Sequence, residues 1–322
     1  MTTAVRGARL LEKCASEQSL IESWEAVREK DTRSGARSDA VRVFERRAAQ
    51  RILALSEAIL GGTWRPDAVT AVAIPKGSGG QRELHIPSVA DRIVERAVLA
   101  VVDPVIDPLL LPWSFAYRRG LGVDDALRAL AEAREDGCLW VLRSDIRDCF
   151  DSIPRARVLK CLAATVDDPG FLEVVRLLVY RRVQGGTGSN GLGLHQGGAL
   201  SPLLCNLYLD QFDRAMLERG LKVIRYADDF AIPAADRAGC AVAEEAVREI
   251  LTRLRLSLNE SKTSVHAYDE GVPFLGEVTT ATTTPGLDDT SHPLATTVYV
   301  TEAGSLIRSR GGEVVPVPVE LR

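Results

Sequence analysis

Residues 224–232 read IRYADDFAI and set two acidic residues, Asp228 and Asp229, between two short strand-like runs, LKVIRY and FAIPA. A carboxylate at the edge of a sheet is costly unless it is paired, solvated or bound to a cation. A pair of aspartates is also common in hairpin turns simply because Asp tolerates turn geometry. A second acidic position decides how the pair is read. Asp145 ends GCLWVLRSDI (137–146), a nearly continuous apolar run that reads as a buried strand. Two acidic spots converging at one sheet edge form a hard-oxygen cage suited to Mg²⁺. Two such ions ~4 Å apart can activate an attacking 3′-oxygen and stabilise a leaving pyrophosphate. Asp148 and Asp151 lie close by and read as surface or capping residues.

Outward from this centre, strands and helices mix without strict alternation, which favours an α+β fold over a doubly wound parallel sheet. LLEKCASEQSLIESWEAVREK and SDAVRVFERRAAQRILALSEAIL each carry apolar residues at helical spacing. VTAVAIPK and ELHIP are strand-like runs around KGSGGQ, whose glycines predict a hairpin turn. Helical patterns follow from Asp91, from Pro154, from Ser201–Pro202 to Gly220, and in DRAGCAVAEEAVREILTRLRL. SVHAY and VPFLGEV predict strands. TTATTTPGLDDTSHPLATT (279–297), rich in Thr, Pro and Asp, reads as a linker, and the closing VYVTEAGSLIRSRGGEVVPVPVEL reads as a hairpin around its glycine pair.

Composition is that of an ordinary globular chain: 322 residues, 46% hydrophobic and 26% charged. That suffices for one or two domains with a sizeable core. No run approaches ~18 uninterrupted apolar residues, so no transmembrane helix and no membrane partner are expected. The N-terminal residues lack a signal peptide's apolar stretch. The six cysteines are scattered without CxxC spacing, which points to reduced thiols in a cytoplasm rather than a zinc site. The net charge of −4 is not that of a strongly basic nucleic-acid protein. A local basic channel built from RVFERRAAQR, YRRG and YRRV can outweigh the sum.

Blocks in a fixed order then carry a resemblance. IPKGSGGQRELHIPSVADRIVERAV (74–98), SFAYRRG (114–120), SDIRDCFDSI (144–153), GLGLHQGGALSPLLCNLYLDQFD (191–213), YADD (226–229), LSLNESKT (256–263) and FLG (274–276) resemble the successive blocks of the reverse transcriptases, above all the bacterial group II intron-like lineage. The likeness runs from about Trp24 to Gly276. It implies a right-hand polymerase: an N-terminal helical region (1–65), fingers (66–135), and a palm (136–276) with an antiparallel sheet backed by helices, without a complete thumb. It implies RNA-directed DNA synthesis, with an RNA template, a DNA or RNA primer, dNTPs and two Mg²⁺ ions, for which Mn²⁺ can substitute. By the same resemblance Asp145, Asp228 and Asp229 bind metal together with the backbone carbonyl of Ile146. Phe150 matches the aromatic gate beneath the sugar, its plain alternative being a core ring. Lys76 and Arg82 match the triphosphate-holding basic residues, the alternative being a solvated hairpin. Gln196 and Gly197 resemble residues lining the nucleotide pocket. Lys262 is placed to protonate pyrophosphate, or is a surface lysine. His195 and Arg119 depart from the family, which usually has proline at both positions.

The tail VYVTEAGSLIRSRGGEVVPVPV (298–319) resembles the opening strands of the CRISPR spacer-acquisition integrase. That implies a linker at 277–296, a truncated integrase domain at 297–322, and work with the CRISPR integrase complex on RNA-derived spacers. Alternatives at this level are an intron maturase, a retron or a phage-defence reverse transcriptase, a catalytically idle palm that binds nucleic acid, and a metal-dependent nuclease. The last leaves Phe150 and the IPK and HQGG blocks without a role.

Overall fold

The computed structural model describes residues 9–33, 38–75, 81–184, 191–279, 296–300, 306–310 and 313–316. Helices α1 (Leu10–Ala15), α2 (Glu17–Arg33), α3 (Asp39–Glu45) and α4 (Ala48–Leu60) come first. The sequence pattern predicts two helices here, and each is split. Ser16 turns to an extended ψ of 143° after α1, and Arg47 leaves the helical region at φ −137° before α4. Apolar spacing runs straight through both breaks because it reports side-chain faces and not backbone caps.

Strands β1 (Thr70–Pro75) and β2 (Gln81–Ile86) pair antiparallel, as the flanked glycine-rich turn predicts. Helix α5 (Val89–Ile106) is capped by Ser88, whose hydroxyl accepts the Asp91 N–H. The chain continues through α6 (Val123–Glu135), β3 (Trp140–Asp145), the short α7 (Cys149–Ser152), α8 (Arg155–Thr165), α9 (Pro169–Tyr180) and α10 (Ser201–Leu217). Then come β4 (Ile224–Tyr226), β5 (Asp229–Ala234), α11 (Arg237–Arg253), β6 (Ser264–Ala267), β7 (Val272–Phe274) and β8 (Glu277–Thr279). Strands β9 (Thr296–Val300), β10 (Leu306–Arg310) and β11 (Glu313–Pro316) close the chain.

Two compact units are each assembled from two stretches, residues 1–110 with 150–208, and 111–149 with 209–322. In the first, α1, α2 and α4 pack together, α1 and α2 also pack against α5, and α8 packs on α9.

The second unit holds a four-stranded antiparallel sheet in the order β4-β5-β3-β6. Helices α6 and α11 pack against it. The central strands β3 and β5 are buried at most positions, which is why they read as near-continuous apolar runs. Their core joins Val141, Ile224 and Ala231 of the sheet to Leu127 and Leu130 of α6 and to Phe115, Tyr268 and Phe274. Burying each large apolar side chain contributes about 1.5–3 kcal/mol. Tyr268 is wholly buried, and its hydroxyl donates to the Leu130 carbonyl at 2.8 Å.

A second sheet runs β11-β10-β9-β8-β7. Regular structure continues past Gly276, because β8 occupies 277–279 of the expected linker; residues 280–295 lie outside the described residues. Strand β9 pairs parallel with β8, and β10 pairs antiparallel with β11, Arg310 opposite Glu313, as the closing sequence predicts.

Candidate active site

In the second unit the end of β3 meets the β4–β5 turn. Asp145 and Asp229 are direct cross-strand partners, and Tyr226 lies opposite Asp229, so Ala227 and Asp228 form a two-residue loop. Ala227 stands at φ 59°, the left-handed region an L-residue rarely takes, at the first corner of this loop. The Ile146 N–H donates to the Asp228 carbonyl at 3.1 Å, which ties the continuation of β3 to the turn.

The LSLNESKT segment supplies a cation. It runs alongside the end of β3. The Asn259 N–H donates to the Asp145 carbonyl at 3.0 Å, the Arg147 N–H donates to the Ser257 carbonyl at 2.9 Å, and Ile146 bridges Leu258. Ser144 and Thr263 share a hydroxyl hydrogen bond of 2.8 Å. Arg248 of α11 pairs with Glu260 and stiffens the loop from outside. Lys262 is thereby delivered to Asp145, and its ammonium pairs with Oδ2 of that residue.

The electrostatics are those of a crowded anionic corner. Asp145 is only 4% exposed, and its Oδ1 has no hydrogen-bond partner among the described residues. Burial pushes the Asp228 carboxyl above the usual carboxylate range, and nearby Asp145 adds to this. Asp229 is raised for the same reason, with Asp228 and Asp145 both contributing. The Asp145 carboxylate holds the Lys262 ammonium above its ordinary value. A divalent cation suits a corner with a bare buried carboxylate oxygen and two carboxylates penalised for being charged. Among the described residues no three His, Cys, Asp or Glu side chains gather closely enough to hold an ion alone. Mg²⁺ commonly takes only one or two carboxylates and completes its octahedron with water and substrate phosphates.

The other predicted residues lie in the first unit. Phe150, in α7, is half-buried, and its carbonyl accepts the Leu194 N–H at 2.7 Å. Gln196 donates from Nε2 to Asp151 Oδ1 at 3.1 Å, and Asp151 stands exposed in the first turn of α7, in keeping with its reading as a surface or capping residue. The Gln196 carbonyl accepts the His85 N–H at 2.7 Å. At Gly197, φ is 105°, and a Cβ would stand 2.9 Å from the His85 carbonyl oxygen, so only glycine fits against β2. The HQGG segment, α7 and β2 are thus stitched together.

His195 is buried between the His85 ring and the Arg181 carbonyl, each 3.2 Å away. Burial first, and then neighbouring cations led by Arg181, lower its pKa to about 3, so it stays neutral. Helix α10 starts at Ser201 as the sequence predicts, and the Ser201 hydroxyl donates to the His195 carbonyl at 2.7 Å. Lys76 lies outside the described residues, as does the side chain of Arg82, whose backbone pairs with Ile74. Arg225, next to the YADD turn, was not a predicted site residue. The one sequence signal for it is a charged residue inside a strand whose other positions are apolar.

A family model described as "Reverse transcriptase (RNA-dependent DNA polymerase)" matches residues 74–278. Among curated proteins similar to the chain is Protein YkfC of Escherichia coli (strain K12), 28% identical over 279 residues, 73% of this chain and 72% of that protein. Another is the group II intron-encoded protein LtrA of Lactococcus lactis subsp. cremoris, 26% identical over 191 residues, 57% of this chain and 31% of that protein. Of solved structures, telomerase from Candida albicans in complex with a fragment of telomeric RNA superposes with a TM-score of 0.53 at 15% identity. That match covers 68% of this chain and 46% of the telomerase chain, and it concerns the fold alone. The chain therefore spans under half of the telomerase chain and about a third of LtrA.

Proposed function

The chain belongs to the reverse transcriptase (RNA-dependent DNA polymerase) family, and on that premise we propose that it extends a primer along an RNA template with dNTPs at the end of β3. The observation that carries this reading is the cross-strand pairing of Asp145 with Asp229, with Asp228 on the adjoining turn. The family uses divalent metal ions. In our reading Asp145, Asp228 and Asp229, with the Ile146 carbonyl, hold two Mg²⁺. When bound, these would polarise the attacking 3′-oxygen and neutralise charge on the departing pyrophosphate.

The chain's own groups do the rest. Lys262 holds a proton beside Asp145 and can pass it to the pyrophosphate oxygen as that oxygen leaves. Lys76 and Arg82 clamp the triphosphate. Gln196 and Gly197 line the nucleotide's face, with the Gln196 amide braced on Asp151. Phe150 closes the space beneath C2′ and so selects deoxyribose. Our domain reading keeps an N-terminal helical region at 1–65, fingers at 66–135 and a palm at 136–276, and the two compact units cut across it: residues 150–208 of the palm fall in the first unit and residues 111–135 of the fingers in the second.

For the biological setting, the VYVTEAGSLIRSRGGEVV tail favours CRISPR spacer acquisition in the cytoplasm, with the integrase complex as partner and RNA as the source of new spacers. The likeness to a group II intron-encoded protein favours a second reading, an intron maturase. The direct test is primer extension on RNA and DNA templates with Mg²⁺ or Mn²⁺. Extension on RNA is expected, and none with either metal overturns the reading. Co-purification with CRISPR integrase subunits, set against binding to a group II intron RNA, separates the two settings.

A further inference from the structure

We infer that Arg225, gripped by Asp213, is the positioning residue that holds the Ala227–Asp228 turn and so fixes where the Asp228 and Asp229 carboxylates stand. The inference rests on the role proposed for those carboxylates and assigns a residue that the motif itself does not include.

The Arg225 side chain is wholly buried. Its Nε donates to both oxygens of Asp213, at 2.9 and 3.0 Å, and Nη2 donates to Asp213 Oδ2 at 2.7 Å and to the Ser114 hydroxyl at 2.8 Å. A guanidinium is a rigid planar fork, so fixing Nε and Nη2 fixes Nη1 as well. Nη1 donates to the Ala227 carbonyl at 3.0 Å. The backbone of Arg225 is fixed too: its N–H donates to the Trp113 carbonyl and its carbonyl accepts the Phe115 N–H, both at 2.9 Å.

What this fork grips is the strained corner. Ala227 sits at φ 59°, where an L-alanine relaxes unless its surroundings over-determine it. Two bonds on successive carbonyls do so, the Arg225 Nη1 bond to the Ala227 carbonyl and the Ile146 N–H bond to the Asp228 carbonyl. A buried ion pair is a weak source of stability, because desolvation offsets the attraction. What this one supplies is direction, since three of its bonds end on Asp213 and one ends on the turn.

The test uses the full chain carrying Arg225→Lys, which keeps the charge beside Asp213 but loses the fork. Amide hydrogen exchange is read first, on metal-free protein. Exchange at Ile146 and across residues 226–230 should quicken about tenfold or more, while the amide of Tyr268 keeps its protection. Primer extension is read second. Loss of an orienting partner typically costs 10–100-fold, so the expected result is a fall in kcat of about that size, a higher Mg²⁺ requirement and little change in the KM for primer-template. Adding Ala227→Gly should restore part of kcat, because glycine takes a positive φ without strain.

A uniform rise in exchange over the whole unit, with an unchanged Mg²⁺ requirement and full activity per folded molecule, overturns the inference. Should Arg225→Lys fail to fold, Ser114→Ala removes a single bond from the fork and must show the same local pattern in weaker form, and its absence overturns the inference equally. If Asp228→Ala left extension intact, the polymerase reading would fall, while the exchange pattern would still report whether Arg225 holds the turn.

Discussion

Two buried arginine–carboxylate pairs, one in each compact unit, differ in their surroundings. Behind the YADD turn, Arg225 spreads its bonds over Asp213, Ser114 and the Ala227 carbonyl. Behind the HQGG segment, Arg181 Nη2 pairs with Glu95 Oε1 at 2.5 Å, while its Nε and Nη1 find no partner among the described residues. Glu95 also accepts the Ala199 N–H at 2.7 Å. A Cβ on Gly198 would lie 3.0 Å from Glu95 Oε1 and 3.2 Å from Arg181 Nη2, so this second glycine makes room for the pair. A satisfied buried network fixes geometry, whereas a partly satisfied one carries desolvation cost without full return. We therefore expect the YADD turn to be the more rigid of the two segments and the HQGG segment the more yielding.

The largest effect should come from the turn. Asp228→Ala removes a proposed metal ligand worth several kcal/mol in the transition state, so kcat for extension should fall by about a hundredfold or more. Gln196→Ala, on the yielding side, should mainly raise the KM for dNTP. Steady-state kinetics on one primer–template check both. Equal kcat losses would erase the distinction.

Next in size is the pair on the yielding side. Glu95→Gln removes the carboxylate charge bonded to the buried Arg181 guanidinium, a loss of about 3–5 kcal/mol. Glu95→Leu combined with Arg181→Met should recover most of it, because the replaced pair was poorly satisfied. Urea unfolding measures both. A cost below ~1 kcal/mol for the single variant would mean that Arg181 is satisfied in some other way.

Much of the turn was legible in the sequence, because its parts are local. The apolar runs on either side of Asp228–Asp229 predict the strands, and the run ending in Asp145 predicts a buried strand. What brings Lys262 to Asp145 is less visible: bonds from Asn259 and Thr263, more than a hundred residues downstream, stitch the loop to β3. Arg225 was harder still, since a charged residue in a short strand reads as an exposed one until Asp213 and Ser114 are seen to surround it. The splits at Ser16 and Arg47 escaped because they lie in backbone angles that apolar spacing does not record.

Smaller again is the sugar gate. Phe150 is held through its carbonyl by Leu194, so its backbone does not depend on the ring. Phe150→Ala should admit ribonucleotides, relieving an overpacking cost of ~1–3 kcal/mol, which is about tenfold to a hundredfold in discrimination. The ratio of dNTP to rNTP incorporation is measured beside a melting curve. An unchanged ratio in a folded, active variant leaves Phe150 as packing.

The smallest effect separates the two regions by pH and metal together. Asp228 is raised by burial and then by Asp145, Asp229 by burial and then by Asp228 and Asp145, and in the first unit burial raises Asp91 to about 6 from 3.8. A carboxyl whose folded pKa exceeds its unfolded one binds more protons when folded. Its stabilising share is full below the unfolded value and is lost as pH rises through the folded value. Metal-free protein should therefore lose stability as pH climbs from about 4 to about 6, with Asp91 contributing throughout that window. Mg²⁺ binds the ionised form of Asp228 and Asp229, so at neutral pH it should restore their share, about 1 kcal/mol at tenfold excess over its Kd. It should leave the Asp91 share untouched. Asp91→Asn should flatten the metal-insensitive part of the profile and keep the Mg²⁺ response, while Asp228→Asn should do the reverse. Melting temperatures across pH 4–7, with and without Mg²⁺, read both. A Mg²⁺ response that survives Asp228→Asn undiminished would place the bound ion away from the turn.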